Sequence, residues 1–141
     1  MPSEGKLERP GQLVPLRPIN VIFNETELSY RAFEEFSLDL DRFDREQQFE
    51  LWLLTNAGPL IAMLRNGEHA FFMYLRFKGD SGFVTMGDRG KQGACAYRLG
   101  NGQIDELPLS WCIDLDQCYR AVAYFFVNNG ARYNYVDWQE A

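Results

Sequence analysis

Residues 65–77 read RNGEHAFFMYLRF, and this stretch organises the rest of the chain. Asn66-Gly67 between two apolar runs predicts a β-hairpin, because two-residue hairpin loops favour this pair. With these two residues as the turn, Arg65 and Glu68 form a cross-strand pair. Side chains alternate along a strand. We therefore expect a core face consisting of Leu60, Ala62, Leu64, His69, Phe71, Met73, Leu75 and Phe77.

Further short strands surround the hairpin. Apolar runs bounded by Gly, Pro, Asn and Asp predict strands at 19–23, 49–55, 59–64, 83–86 and 94–98, an edge strand at 103–107, and a last strand ending at Trp138. With no alternation of strands and helices, this pattern predicts an antiparallel meander.

Two helices accompany the strands. Asp114 and Gln117 have capping-box spacing, apolar residues follow at helical intervals, and Gly130 suits the position after a helix end. Thr26 is the expected N-cap of a shorter helix at 27–36, with residues 37–48 as a connection. We therefore predict an α+β fold with the long C-terminal-half helix on one face of the meander. The single domain covers 19–141 and follows an extended, proline-containing arm at 1–18.

Composition narrows the function. The net charge of −6 argues against nucleic acid as a direct ligand, because phosphate binding needs clustered Lys and Arg. No apolar run is long enough to span a membrane, and the N-terminus lacks a signal-peptide pattern. We therefore expect a cytoplasmic protein without a membrane partner.

Candidate catalytic and metal residues are few. His69 is the one imidazole, and no nucleophile is placed beside it by the sequence. Cys95, Cys112 and Cys118 lack zinc-site spacing and are expected to be free thiols. The glycine-rich loop at 87–93 lacks the Gly-Lys-Ser/Thr ending of a phosphate loop. We therefore expect no enzyme activity, no cofactor and no metal.

Several features between residues 49 and 140 together resemble the immunity protein 1 family of bacterial polymorphic-toxin systems. They are Pro59-Leu60, Gly67 before the run at 70–74, the loop at 87–93, Tyr97, the helix with Ala121, Ala123, Phe125 and Phe126, and the ending at 136–140. The Trp138-x-Glu140 ending is the most specific of them. The resemblance implies a cytosolic protein that binds and neutralises a cognate toxin, such as a nucleic-acid deaminase or nuclease.

An acidic chain suits an inhibitor that covers a basic active site, since opposite charges speed encounter. The alternative is a small-molecule or regulatory binding module with a pocket between the sheet and the long helix. A third possibility is a small hydrolase. Oligomeric state is open.

The partner surface is expected on loops at one end of the meander and on its exposed face. Its charged residues are Asp80, Asp88, Asp105 and Glu106, with accessible carboxylates at Asp80 and Asp88. Tyr74 and Trp111 are the candidate aromatic anchors. Trp138 is expected to be structural, fastening the C-terminus to the core.

Overall fold

A computed structural model describes residues 18–141, so the arm predicted at 1–18 lies outside the described residues except for Pro18. The described part contains two α-helices and nine strands. The helices are α1 (Phe33–Phe43) and α2 (Leu115–Val127). The strands are β1 (Ile19–Phe23), β2 (Thr26–Tyr30), β3 (Gln48–Leu54), β4 (Leu60–Asn66), β5 (His69–Leu75), β6 (Phe83–Met86), β7 (Ala94–Arg98), β8 (Ile104–Pro108) and β9 (Asp137–Glu140).

Seven strands of the described residues form one antiparallel sheet in the order β2-β1-β3-β4-β5-β6-β9. The strands β7 and β8 form a separate hairpin. The α+β class and the meander from β3 to β6 are therefore confirmed. The strand predicted to end at Trp138 instead extends to Glu140, pairs with β6 along its length and forms one edge of the sheet. No helix between residues 18 and 141 is long and apolar enough to cross a membrane.

The central hairpin is shifted by two residues from its predicted register. Asn66 pairs with His69, so Gly67 and Glu68 form the turn. Gly67 has a φ of +62°, and a glycine at the first loop position is typical of a type II′ turn. A shift of two keeps every side chain on its face. The predicted Arg65–Glu68 pair is wrong, because Arg65 lies opposite Ala70 and binds Asp44.

The sheet is covered on both faces, and the predicted core face is the minor one. The main core joins the two helices to Ile61, Met63, Ala70, Phe72 and Tyr74. A smaller cluster on the opposite face joins Leu64 and Phe71 to the β7–β8 hairpin. The choice of a single core face was therefore wrong, since a sheet covered on both faces is apolar on both.

The two helices differ in how well they were predicted. The helix α2 matches its prediction, and Gly130 has a φ of +96° with its N–H donated to the Phe125 carbonyl. Asp114 occupies the N-cap position but makes no capping side-chain hydrogen bond, so the capping-box interpretation is wrong. The helix predicted at 27–36 is also wrong. Residues from Thr26 form β2, and α1 begins only at Phe33 and extends into the predicted connection as far as Phe43.

Candidate functional site

The two predicted aromatic anchors pack against other aromatic residues of this protein. The Tyr74 ring is buried against Phe125 and Trp138, and its hydroxyl donates to the Gly130 carbonyl over 2.8 Å. Trp111 is half-buried with its ring centroid 5.4 Å from that of Phe71. Tyr74 is therefore unavailable as an anchor, and Trp111 contributes to the smaller core cluster.

Asp80 does not present the accessible carboxylate that the sequence predicted. Its side chain is only 4% exposed and accepts hydrogen bonds from the Arg76 guanidinium and the Arg76 backbone N–H. These donors hold the pKa of the Asp80 carboxyl well below its usual range. The Arg76–Asp80 pair closes the β5–β6 turn, so the prediction of an accessible carboxylate is wrong.

The four predicted acidic residues do not form one surface. Asp80 precedes β6 and Asp88 follows it, so they lie at opposite ends of that strand, about 13 Å or more apart. Adjacent strand residues point to opposite faces, so Asp105 lies on the Tyr97 side of the hairpin and Glu106 on the outer side. The prediction of one loop end is therefore wrong, and among these four only Asp88 lines the groove described next.

An open groove of about 640 Å³ lies at the end of the sheet where β5 and β9 begin and β6 ends. The start of α2 forms one side and the segment before β9 forms another. Its lining consists of Glu68, His69, Met86, Gly87, Asp88, Lys91, Leu109, Cys112, Ile113, Asp114, Leu115, Gln117, Tyr135, Val136 and Asp137.

Residues 110–113 lie between β5 and β6 and shape the groove; this segment is the wedge. The Ile113 N–H donates to the Ala70 carbonyl of β5 over 2.9 Å, and the Gly87 N–H after β6 donates to the Ser110 carbonyl over 2.7 Å. The buried Thr85 hydroxyl accepts from the Phe72 N–H and donates to the Trp111 carbonyl. Residues 110–113 therefore replace direct pairing between the two strands at this end of the sheet.

Charge in the groove is strongly one-sided. Four carboxylates (Glu68, Asp88, Asp114 and Asp137) line it, against a single ammonium group, that of Lys91. All four acidic residues are exposed. Because they belong to four separate segments, they surround the groove instead of following one loop. This arrangement favours a cationic group of a partner.

Tyr135 gives the groove an aromatic rim. Its side chain is 81% exposed, the highest value among the large exposed apolar residues of the described chain. The ring centroid lies 5.4 Å from that of Tyr133, which in turn contacts Tyr124 on α2. A supported aromatic ring that faces solvent beside a charged groove has the properties of an interface anchor.

Cys112 and His69 both line the groove, and a thiol beside an imidazole is the pair that a small hydrolase could use as nucleophile and base. The Cys112 sulfur lies 3.1 Å from the Tyr97 hydroxyl, and burial raises the pKa of this thiol. A nucleophilic cysteine needs the opposite shift, toward the thiolate. Cys95, Cys112 and Cys118 are free thiols, and the pKa of Cys118 is also raised by burial. The thiol at the groove is therefore poorly suited to nucleophilic attack.

The space between the sheet and α2 is filled. A cavity lined by Ile61, Phe72, Tyr74 and residues of α2 has a volume of about 10 Å³, about the lower limit for one water molecule. This volume gives no support to a small-molecule pocket at the place that the sequence suggested.

Part of the groove could have been found from the sequence. In a meander, the turn before β5 and the loop after β6 lie at the same end of the sheet, so Glu68 belongs beside Asp88. Asp114, Asp137 and Tyr135 reach the groove only through the positions of α2 and β9. Their placement depends on tertiary packing and leaves no local signal.

A search against models of protein families found no match for the chain, and a search of curated proteins found none either.

Proposed function

We propose that this protein is an immunity protein that binds a basic toxin domain and neutralises it by covering its active site. The observation that carries the proposal is the acidic groove with Tyr135 on its rim. The sequence features that resemble the immunity protein 1 family support the same conclusion. A deaminase or nuclease is the favoured type of toxin.

The groove is suited to such a partner for a physical reason. A toxin that acts on nucleic acid carries Lys and Arg near its active site to bind phosphate. Four carboxylates around one groove can pair with these cations and compete with the nucleic acid. Complementary charge mainly increases the association rate and specificity, while a buried aromatic side chain supplies much of the affinity. Tyr135, which is exposed in the free protein, is the aromatic side chain that the toxin buries on binding.

The test is co-expression with candidate toxin domains, beginning with any that the genes beside that of this protein encode. We expect the intact chain to restore growth and to co-purify with the toxin. Tyr135→Ser should weaken binding by about tenfold or more, as expected for an interface hot spot. Leu38→Ser is the matched control, because Leu38 is 70% exposed on α1 and lies outside the groove.

Two results would contradict the proposal. One is a wild-type chain that neither protects the cell nor binds the toxin. The other is an equal effect of the two serine variants, which would remove the groove from the interface.

A further inference from the structure

We propose that the free edge of β9 is a strand-addition site, where an extended basic segment of the partner pairs with the sheet. This inference rests on the proposed function for the identity of the partner, and it specifies how that partner is held. It is carried by the backbone of β9, by a depression beside it and by the charge around both.

The edge has backbone groups directed toward solvent. The Ala141 N–H donates to the Gly82 carbonyl over 3.0 Å, which places these two residues in a hydrogen-bonded pair. Such pairs alternate along an antiparallel ladder, so Asp137 and Gln139 also point to β6. The N–H and C=O groups of Trp138 and Glu140 therefore point away from the sheet. Within residues 18–141, no hydrogen-bond partner is found for these outward groups.

A second depression, of about 400 Å³, lies along β9 and receives the side chains of an added strand. Phe83, Arg132, Trp138 and Glu140 contribute to its lining. It shares Val136 and Asp137 with the acidic groove, so the two form a continuous surface at the sheet edge. Strand addition takes affinity from the main chain and specificity from side-chain pockets of this kind.

Charge identifies the occupant as a basic segment. The two depressions together carry five carboxylates (Glu68, Asp88, Asp114, Asp137 and Glu140) and two cations (Lys91 and Arg132). A second copy of this chain is a poor occupant, because pairing two β9 strands brings the acidic residues Asp137 and Glu140 of one copy close to those of the other, and like charges across a ladder are destabilising. The other edge of the sheet, β2, does not contribute to the groove lining.

The decisive comparison is Glu140→Pro with Glu140→Ala. Both variants remove the carboxylate, but only proline removes the outward N–H, and neither removes a hydrogen bond to β6. The probe is a synthetic ten-residue peptide that alternates Lys with Val. A second peptide of the same length, with proline in place of every second valine, cannot form a regular ladder and serves as its control.

Binding is measured on the ¹⁵N-labelled chain by NMR at low salt, after equal melting temperatures have established that both variants fold. We expect the Lys-Val peptide to shift the amides of β9 and the groove and to slow hydrogen exchange at Trp138 and Glu140. Affinity should fall by about tenfold in Glu140→Pro relative to Glu140→Ala, the loss expected for a hydrogen bond. The proline-containing peptide should bind more weakly to all forms.

Several outcomes would overturn the inference. With the peptide, they are equal binding by the two variants, no shift of the β9 amides at millimolar peptide, or shifts centred on β2. Without the peptide, β9 amide shifts that depend on protein concentration would indicate self-association and would also overturn it. The exchange measurement on the wild-type chain decides the question even if Glu140→Pro fails to fold. A toxin that binds Glu140→Pro and Glu140→Ala equally would reject strand addition and leave the proposed function intact, whereas a toxin that binds no form would reject the function.

Discussion

At the scale of single residues, Arg65 connects three parts of the fold from a buried position. Arg65 is only 6% exposed. The guanidinium donates to the carbonyls of Asp44, Glu46 and Gly67 and to the Asp44 carboxylate. The same carboxylate oxygen accepts the Tyr119 hydroxyl of α2. One buried cation thus fastens the end of α1 to the sheet and, through Asp44, to α2.

We predict that Arg65→Met lowers the free energy of unfolding by about 3 kcal/mol, because breaking a buried charge network leaves its partners unsatisfied. Urea unfolding measures the loss. Arg42→Met is the matched control, since Arg42 forms an exposed ion pair with Asp39 and its loss should cost less than about 1 kcal/mol. Equal losses in the two variants would show that the Arg65 network does not contribute specially to stability.

Asp80 gives stability a specific dependence on pH. Its pKa is depressed from the usual 3.8 by Arg76, so the folded state favours the ionised carboxyl. The resulting stability is complete above the pKa of the unfolded chain and is lost as pH falls through the lower pKa of the folded protein. We predict that Asp80→Asn lowers the melting temperature at pH 7 and that its deficit relative to wild type shrinks below pH 3.8.

Glu106→Gln provides the comparison for Asp80→Asn, because Glu106 is exposed on the hairpin and forms no ion pair with any residue of the described chain. Its melting temperature should match that of wild type at pH 7. A deficit of Asp80→Asn that stays constant from pH 7 down to strong acid would contradict the role given to the ionised carboxyl.

At the scale of elements, the close approach of β6 to the wedge depends on Gly87. A Cβ at this position would lie 1.9 Å from the Cys112 carbonyl oxygen, which is backbone and cannot move aside without displacing the wedge. We predict that Gly87→Ala costs about 1–3 kcal/mol of unfolding free energy, as overpacking does. In the same loop, a Cβ at Gly90 would lie 3.5 Å from the Asp88 Oδ1, which is ordinary contact. Gly90→Ala should therefore change stability by less than about 0.5 kcal/mol. Denaturant titration of both variants would contradict the wedge geometry if their losses were alike.

Trp138 fastens β9 to the sheet, as its expected structural role requires. The indole N–H donates to the Tyr133 carbonyl over 2.8 Å, and the ring packs on Tyr74 while Arg132 lies over its face. The side chain is half-buried, so we predict a loss of about 2 kcal/mol for Trp138→Ala, less than a fully buried aromatic residue would cost. An unchanged melting temperature would count against this role.

Elements with strong local signals were predictable, and those decided by packing were not. A glycine turn and alternating residues indicated β4 and β5, and apolar spacing with Gly130 indicated α2. Thr26–Tyr30 has the N-cap and acidic residues of a helix start, yet Asn24 turns the chain with a φ of +46° and pairing with β1 makes it a strand. Five residues are too few for a helical period to outweigh that pairing.

At the scale of the whole molecule, the arrangement of charge matters more than its sum. The net charge of −6 predicts a cationic partner, but it carries no information about which face would meet that partner. The groove carboxylates come from four segments that the chain order separates and the fold brings together. Motif analysis cannot find the whole of this surface, because Asp114 and Asp137 reach the groove only through the packing of α2 and β9 against the meander.

Charge reversal tests whether position or total charge steers the toxin. The groove variant is Glu68→Lys/Asp88→Lys/Asp137→Lys, and the control is Glu25→Lys/Glu34→Lys/Asp41→Lys, which alters exposed residues away from the groove. Both move the formal net charge from −6 to 0. At low ionic strength we predict that the groove variant associates with the toxin at least about tenfold more slowly than the control.

Salt supplies the sharper comparison. The Debye length falls from about 30 Å at 0.01 M ionic strength to about 8 Å at 0.15 M. The difference in association rate between the two variants should therefore become smaller across that range, as measured by stopped-flow mixing. Equal slowing of both variants would mean that total charge alone attracts the toxin. If the control variant associated more slowly than the groove variant, the interface would lie near α1 and the β1–β2 turn, because the control reverses the charges there.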